Sequence, residues 1–222
     1  VQDLGVVEEE RGSPLKDRFP HDRVVFFSDA VFAIAITLLA IELKLPDREM
    51  IEQLGAEHAA GEITALFVSY VISFVVTGLF WAGHMQTWRH VRQVSGKLVW
   101  ATLLQLMFVA LMPFATREYS LYFSSDSPGR LALYATVLAG ISLFALVTRV
   151  MVIAQENLRE RLGPVATRWL LWRGVIPLLL FSLTIPLAFV LPVWCGGLVF
   201  MAIFPCLAIA RRWIERAAPE AA

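Results

Sequence analysis

Cysteine is nearly missing from this chain: among 222 residues only Cys195 and Cys206 occur, both in the last apolar stretch. That scarcity excludes a disulfide framework and a thiolate-built metal site. Net charge is missing as well, with 19 basic residues against 19 acidic, so no overall basic field points to nucleic acid. There is no nucleophile–base pair, no metal-ligand spacing of His with Glu or Cys, and no phosphate loop. An enzyme reading and a bound cofactor therefore find no support. Residues 1–22 lack the basic start and short apolar run of a signal peptide. With Glu8, Glu9 and Glu10 in a row they read as a polar tail.

What is present is apolar length. Hydrophobic residues make up 58% and the mean hydropathy is +0.65, where soluble domains sit near 45–50% apolar. The excess falls in blocks of about 20 residues, the length a helix needs to cross roughly 30 Å of hydrocarbon. Most blocks lack the polar face a water-soluble helix requires. The blocks predict an all-α integral membrane protein with six spans at about 24–43, 63–83, 98–116, 131–154, 170–191 and 192–210. The membrane domain is then 23–211, flanked by tails at 1–22 and 212–222. Between the last two spans only Leu191-Pro192-Val193 intervenes, which makes them antiparallel neighbours.

Charge orients these spans. With the amino terminus inside, most of the basic residues fall on the cytoplasmic side, Arg89, Arg92, Arg159, Arg161, Arg211 and Arg212 among them. Lys44, Arg48, Arg117 and Arg130 remain outside. The positive-inside rule favours this arrangement, with both termini cytoplasmic. Most of the seven tryptophans sit near span boundaries, as an interfacial belt does.

The first span holds the chemistry. Asp29 lies about 9 Å along the helix axis from Arg23, inside the apolar run, where an unpaired charge costs roughly 2.5–3.5 kcal/mol. Ser28 is its neighbour, and the second span ends on the same side near Trp81 and His84. A cluster of Arg23, Ser28, Asp29 and His84 would satisfy these buried groups, as a structural latch in place of a catalytic set. Deeper in, Ile34, Leu38 and Ile41 recur at helical spacing with Thr37 beside them. Periodicity alone reads this as a lipid-facing or core stripe.

The segment Arg23-x-x-x-Phe27-Ser28-Asp29-Ala30-Val31-Phe32-Ala33-Ile34-Ala35-Ile36-Thr37-Leu38-Leu39 resembles the first-helix signature of the transmembrane protein 175 potassium channels. Phe80-Trp81-Ala82-Gly83-His84 and Leu111-Met112-Pro113-Phe114-Ala115-Thr116 fit the same family pattern. One departure stands out: eleven residues before Pro113, where the family usually has Asn, this chain has Thr102, with Gln105 three residues on. The length is similar to the single six-helix bacterial form.

The resemblance implies a homotetramer whose first helices line a central pore, in the inner membrane of a bacterial cell. Ile34 would form the narrowest ring, with Leu38 and Ile41 in further rings and Thr37 supplying hydroxyls beside the ion path. Arg23, Ser28, Asp29, His84 and Trp81 would form the cytoplasmic-end network that fixes helix orientation. Function is then potassium-selective conduction through a hydrophobic constriction. The partners are further copies of the chain, membrane lipid and permeant potassium ions, without a fixed metal site, cofactor or nucleic acid. The alternative is a proton-coupled secondary transporter using Asp29 and His84.

Overall fold

The computed structural model describes residues 19–44, 56–125, 127–190 and 202–216, and every regular element among them is a helix. Helix α1 spans His21–Ile41, α2 Ala56–Trp88, α3 Gly96–Ala110, α4 Met112–Ser125, α5 Pro128–Gln155, α6 Leu158–Leu187 and α7 Ile203–Arg216. Five helical stretches are long and apolar enough to cross a membrane: α1, α2, α3 together with α4, α5, and α6. The sixth predicted span, its short connecting turn and the first loop through residue 55 lie wholly or largely outside the described residues.

Local chemistry sets the ends. Pro20, with φ −60° and ψ 119°, stands before α1 in extended geometry, and Asp22 sits in the first turn, where the helix dipole favours a negative charge. Ser95 caps α3 by accepting from the Leu98 amide at 3.4 Å. Pro128 occupies the first turn of α5, where its missing N–H costs nothing.

Several helices outrun the lengths expected from hydropathy. Residues 117–125, expected as a polar loop, continue α4. Their polar residues alternate with Tyr119 and Tyr122, which are buried. Tyr119 stacks on Tyr134 of α5 with ring centroids 4.5 Å apart. The link expected at 155–169 is helical from Leu158, which is fully buried. It bends at Gly163, whose φ of 81° suits a residue without a Cβ, followed by Pro164.

Two apolar clusters fill the bundle. The larger joins Phe32 and Ala35 of α1 to Leu106, Val109, Tyr119, Leu138, Ile141 and Phe181. The smaller gathers Trp88, Val91, Leu98, Val152 and Leu158 at the Arg-rich end. There the α2–α3 link is strapped to the α5–α6 turn. Glu156 Oε1 accepts from the Arg92 amide at 2.8 Å, and Gln155 Nε2 donates to the Gln93 carbonyl at 2.6 Å. A bridge between Phe19 and Val94 ties the chain entering α1 to the same link.

Candidate functional site

Helix α1 has two faces. Ser28, Phe32, Ala35 and Leu39 are buried against α2, α3 and α4. On the other side, Ile34 is 57% exposed, Leu38 39% and Ile41 63%, and Phe26 and Phe27 continue the stripe toward the start of the helix. Thr37 shares this open face. Its hydroxyl donates to the Ile34 carbonyl at 2.8 Å. The donor is thereby committed to the helix, and the oxygen lone pairs remain available as acceptors. The four residues expected beside the ion path thus form one uncovered surface. They hold none of the single-chain core together.

At the Arg-rich end, the residues of the expected network fall into separate pairings. Trp81 Nε1 donates to Asp29 Oδ1 at 2.9 Å, joining α2 to α1. Ser28 donates to the Val24 carbonyl one turn back, at 2.9 Å, and stays within its own helix. His84 is buried, with its ring between Phe32 at 5.6 Å and Trp88 at 5.7 Å, and Gln105 of α3 beside it. Arg23 stands apart. It is exposed on the rim of a cavity shared with Val24, Phe27, Val99 and Thr102, and none of the ion pairs among the described residues includes it. Asp29, for which Arg23 or a charged His84 is the partner expected from the sequence, instead accepts an indole N–H, and Arg23 points elsewhere. Helix phase explains this: six residues of separation place the two side chains about 120° apart around the axis.

The polar groups near His84 include one residue to which the sequence reading gave no role. Thr102 and Gln105 are both buried, one turn apart on the inner face of α3. Gln105 lies next to the imidazole of His84, one turn along α3 from Thr102. Their i, i+3 spacing was the available signal. Trp88 departs from the belt pattern: it is 2% exposed, packed against His21 and His84, whereas Trp100 and Trp213 face outward.

Known proteins resemble this chain over its first half and in its fold. The profile of TMEM175, described as the endosomal/lysosomal potassium channel, matches residues 23–113. A potassium channel of Streptomyces collinus is 37% identical over 123 residues, which is 54% of this chain and 59% of that protein. The human endosomal/lysosomal proton channel TMEM175 is 28% identical over 140 residues, 60% of this chain and 28% of the human one. The chain therefore spans little more than half the length of the Streptomyces relative. The crystal structure of a lysosomal potassium-selective channel TMEM175 homologue from Chamaesiphon minutus shares the fold, with a TM-score of 0.67 at 22% identity, covering 90% of this chain and 98% of that one. These relatives are named as channels, not enzymes, and the apolar helices are those of a membrane protein. Residues 23–113, which carry α1 and the Trp81–Asp29 contact, are thus the part of the chain that matches the TMEM175 profile.

Proposed function

We propose that the chain is a potassium-selective cation channel, formed when four copies bring their α1 helices around a common axis. The observation that carries this reading is the open face of α1. It presents Ile34, Leu38 and Ile41 outward while the opposite face is packed into the subunit. One α1 cannot enclose a conduit, so the mechanism needs several copies. Aliphatic rings narrower than a hydrated ion dewet and block conduction, and a modest tilt or rotation of the helices rewets them. Thr37, with its donor bound to the Ile34 carbonyl, offers oxygen lone pairs next to that ring. A cation shedding part of its water there meets acceptors, and potassium gives up water at lower cost than sodium. The Asp29–Trp81 hydrogen bond then sets how α1 is rotated against α2.

The proton-coupled transporter is less well supported by the same residues. A relay needs successive titratable groups. No titratable residue follows Asp29 within α1, and the next, Glu42, stands just past its end, about 20 Å along the axis. His84 is enclosed by aromatic rings. The membrane in which the channel works is proposed to be a bacterial inner membrane, with both termini cytoplasmic, in keeping with the arginine distribution.

Reversal potentials of the purified protein in planar bilayers test this reading. Under opposed potassium and sodium gradients the current should reverse toward the potassium equilibrium potential and rise with voltage without saturating. A flux that saturates and follows the proton gradient would refute the channel.

A further inference from the structure

Arg149 and Arg173 lie near the Arg-rich ends of two apolar blocks, 131–154 and 170–191. The structure puts them together in a cleft between α2, α5 and α6. Arg149 is only 7% exposed although it sits on a membrane-spanning helix. Its Nε donates to Thr87 Oγ1 at 3.3 Å, the one hydrogen bond it makes among the described residues. The two terminal nitrogens pass between glycines. A Cβ at Gly83 would stand 2.8 Å from one of them, and a Cβ at Gly174 would stand 2.8 Å from the other. Arg173 donates to Gln86 Oε1 and shares the cleft.

Among the described residues neither guanidinium meets a carboxylate. The ion pairs among the described residues use Arg130, Arg161, Arg211 and His21. Residues 191–201 contain no Asp or Glu that could supply one. Two cations within membrane-spanning helices, without an anion, are costly. Yet the site has room for a ligand: a cavity of about 180 Å³ opens in front of both arginines. Apart from Ser142, whose hydroxyl donates to the Leu138 carbonyl, its remaining walls are apolar, with Val76, Leu79, Phe80, Phe181 and Leu207.

We propose that this cleft binds an anionic phospholipid of the membrane, its phosphate held between Arg149 and Arg173 and an acyl chain laid along Val76, Leu79, Phe80 and Phe181. Guanidinium forks match phosphate oxygens with paired hydrogen bonds, and basic pockets between transmembrane helices are a recurrent form of headgroup site. The glycines at 83 and 174 keep the path of the Arg149 side chain open. An amphiphile fits the two-part lining better than a free ion does, because the apolar walls would gain nothing from inorganic phosphate.

The test is lipid binding to the purified full chain, read by thermal unfolding and by native mass spectrometry. Phosphatidylglycerol, phosphatidylcholine and inorganic phosphate are added separately to the detergent-solubilised protein. Both lipids offer a phosphodiester, but the choline ammonium brings a third cation beside the two guanidiniums, so phosphatidylglycerol should bind about tenfold or more tightly than phosphatidylcholine, in line with the attraction of each basic residue for an anionic headgroup. Arg173→Gln and Arg149→Gln should each remove most of that preference, whereas Arg168→Gln, on the exposed surface of α6, should keep it. Should Arg149→Gln fail to fold, Arg173→Gln, half-buried and at the edge of the helix bundle, carries the test. Equal binding of the two lipids, or a preference that survives Arg173→Gln, overturns the proposal. So does inorganic phosphate binding as well as phosphatidylglycerol, since the apolar walls then contribute nothing.

Discussion

The hydrogen bond from Trp81 to Asp29 offers the sharpest quantitative test of how α1 is held. Among the described residues, α1 makes two side-chain hydrogen bonds to other parts of the chain. One is the 3.4 Å contact of His21 with the Trp88 carbonyl, and the other is this bond at 2.9 Å. Trp81→Phe removes the donor and keeps an aromatic body in place. A hydrogen bond to a charged group contributes about 1.5–3 kcal/mol when buried. Trp81 is 39% exposed, so the lower end applies, about 1–1.5 kcal/mol after solvent screening. Asp29→Asn keeps a carbonyl oxygen for the indole and loses the charge, so it should cost less, about 0.5 kcal/mol. The decisive measurement is a double-mutant cycle with Trp81→Phe, Asp29→Ala and both together, read by thermal unfolding in one detergent. A coupling of about 1 kcal/mol or more is expected. In a chain of this length that corresponds to about 3 °C in Tm. Single-channel open probability should shift in the same cycle, because the bond sets the rotation of α1. A coupling within a few tenths of 1 kcal/mol of zero would mean that the contact fixes nothing, and the latch would have to be sought elsewhere.

Four further outcomes are expected. Ile34→Ser should raise basal current at least several-fold with little change in Tm, because the side chain is more than half exposed within the subunit; an unchanged current removes Ile34 from the constriction. Thr37→Val keeps the shape and removes the hydroxyl, so the potassium-to-sodium permeability ratio should fall toward one while conductance persists; a preserved ratio rules the hydroxyl out. Gly140→Ala would bring a Cβ to 2.5 Å from the Phe108 ring. Overpacking of about 1–3 kcal/mol should outweigh the gain in helix propensity and lower Tm by several degrees, and a raised Tm would contradict the close approach of α3 and α5. His90, in the α2–α3 link, has its pKa held below the usual histidine value by burial and by Arg89 and Arg161. The folded state therefore disfavours the protonated ring, and this penalty is absent well above about pH 6.5. It grows as pH falls through that value, so the Tm of His90→Gln should decline less on acidification than that of the parent chain.

Much of the membrane architecture is legible from hydropathy because lipid imposes one rule on every spanning segment: a helix of fixed minimal length with apolar surface. Helices α2 and α5 contain the blocks expected for them, α1 ends two residues short of its block, and the block at 98–116 is divided between α3 and α4. The ends were less legible. Polar residues at 117–125 read as loop, yet α4 continues there because Tyr119 and Tyr122 bury their rings against α5. Likewise, Leu158 and Thr167 anchor a helical start to α6 that charge content alone reads as a link. Hydropathy averages over a window and does not register a single buried aromatic contact.

The sequence alone carries the apolar blocks at the centres of the helices, the position of Asp29 within one of them, and the stripe of Ile34, Thr37, Leu38 and Ile41, because these follow from the length, rise and phase of a single helix. Which partner each side chain meets was decided only in three dimensions. Asp29 meets Trp81 instead of Arg23, His84 lies between aromatic rings with Gln105 alongside, and Arg149 turns into a cleft beside Arg173. Such pairings depend on the rotation and depth of one helix against another, and those are set by packing across residues far apart along the chain.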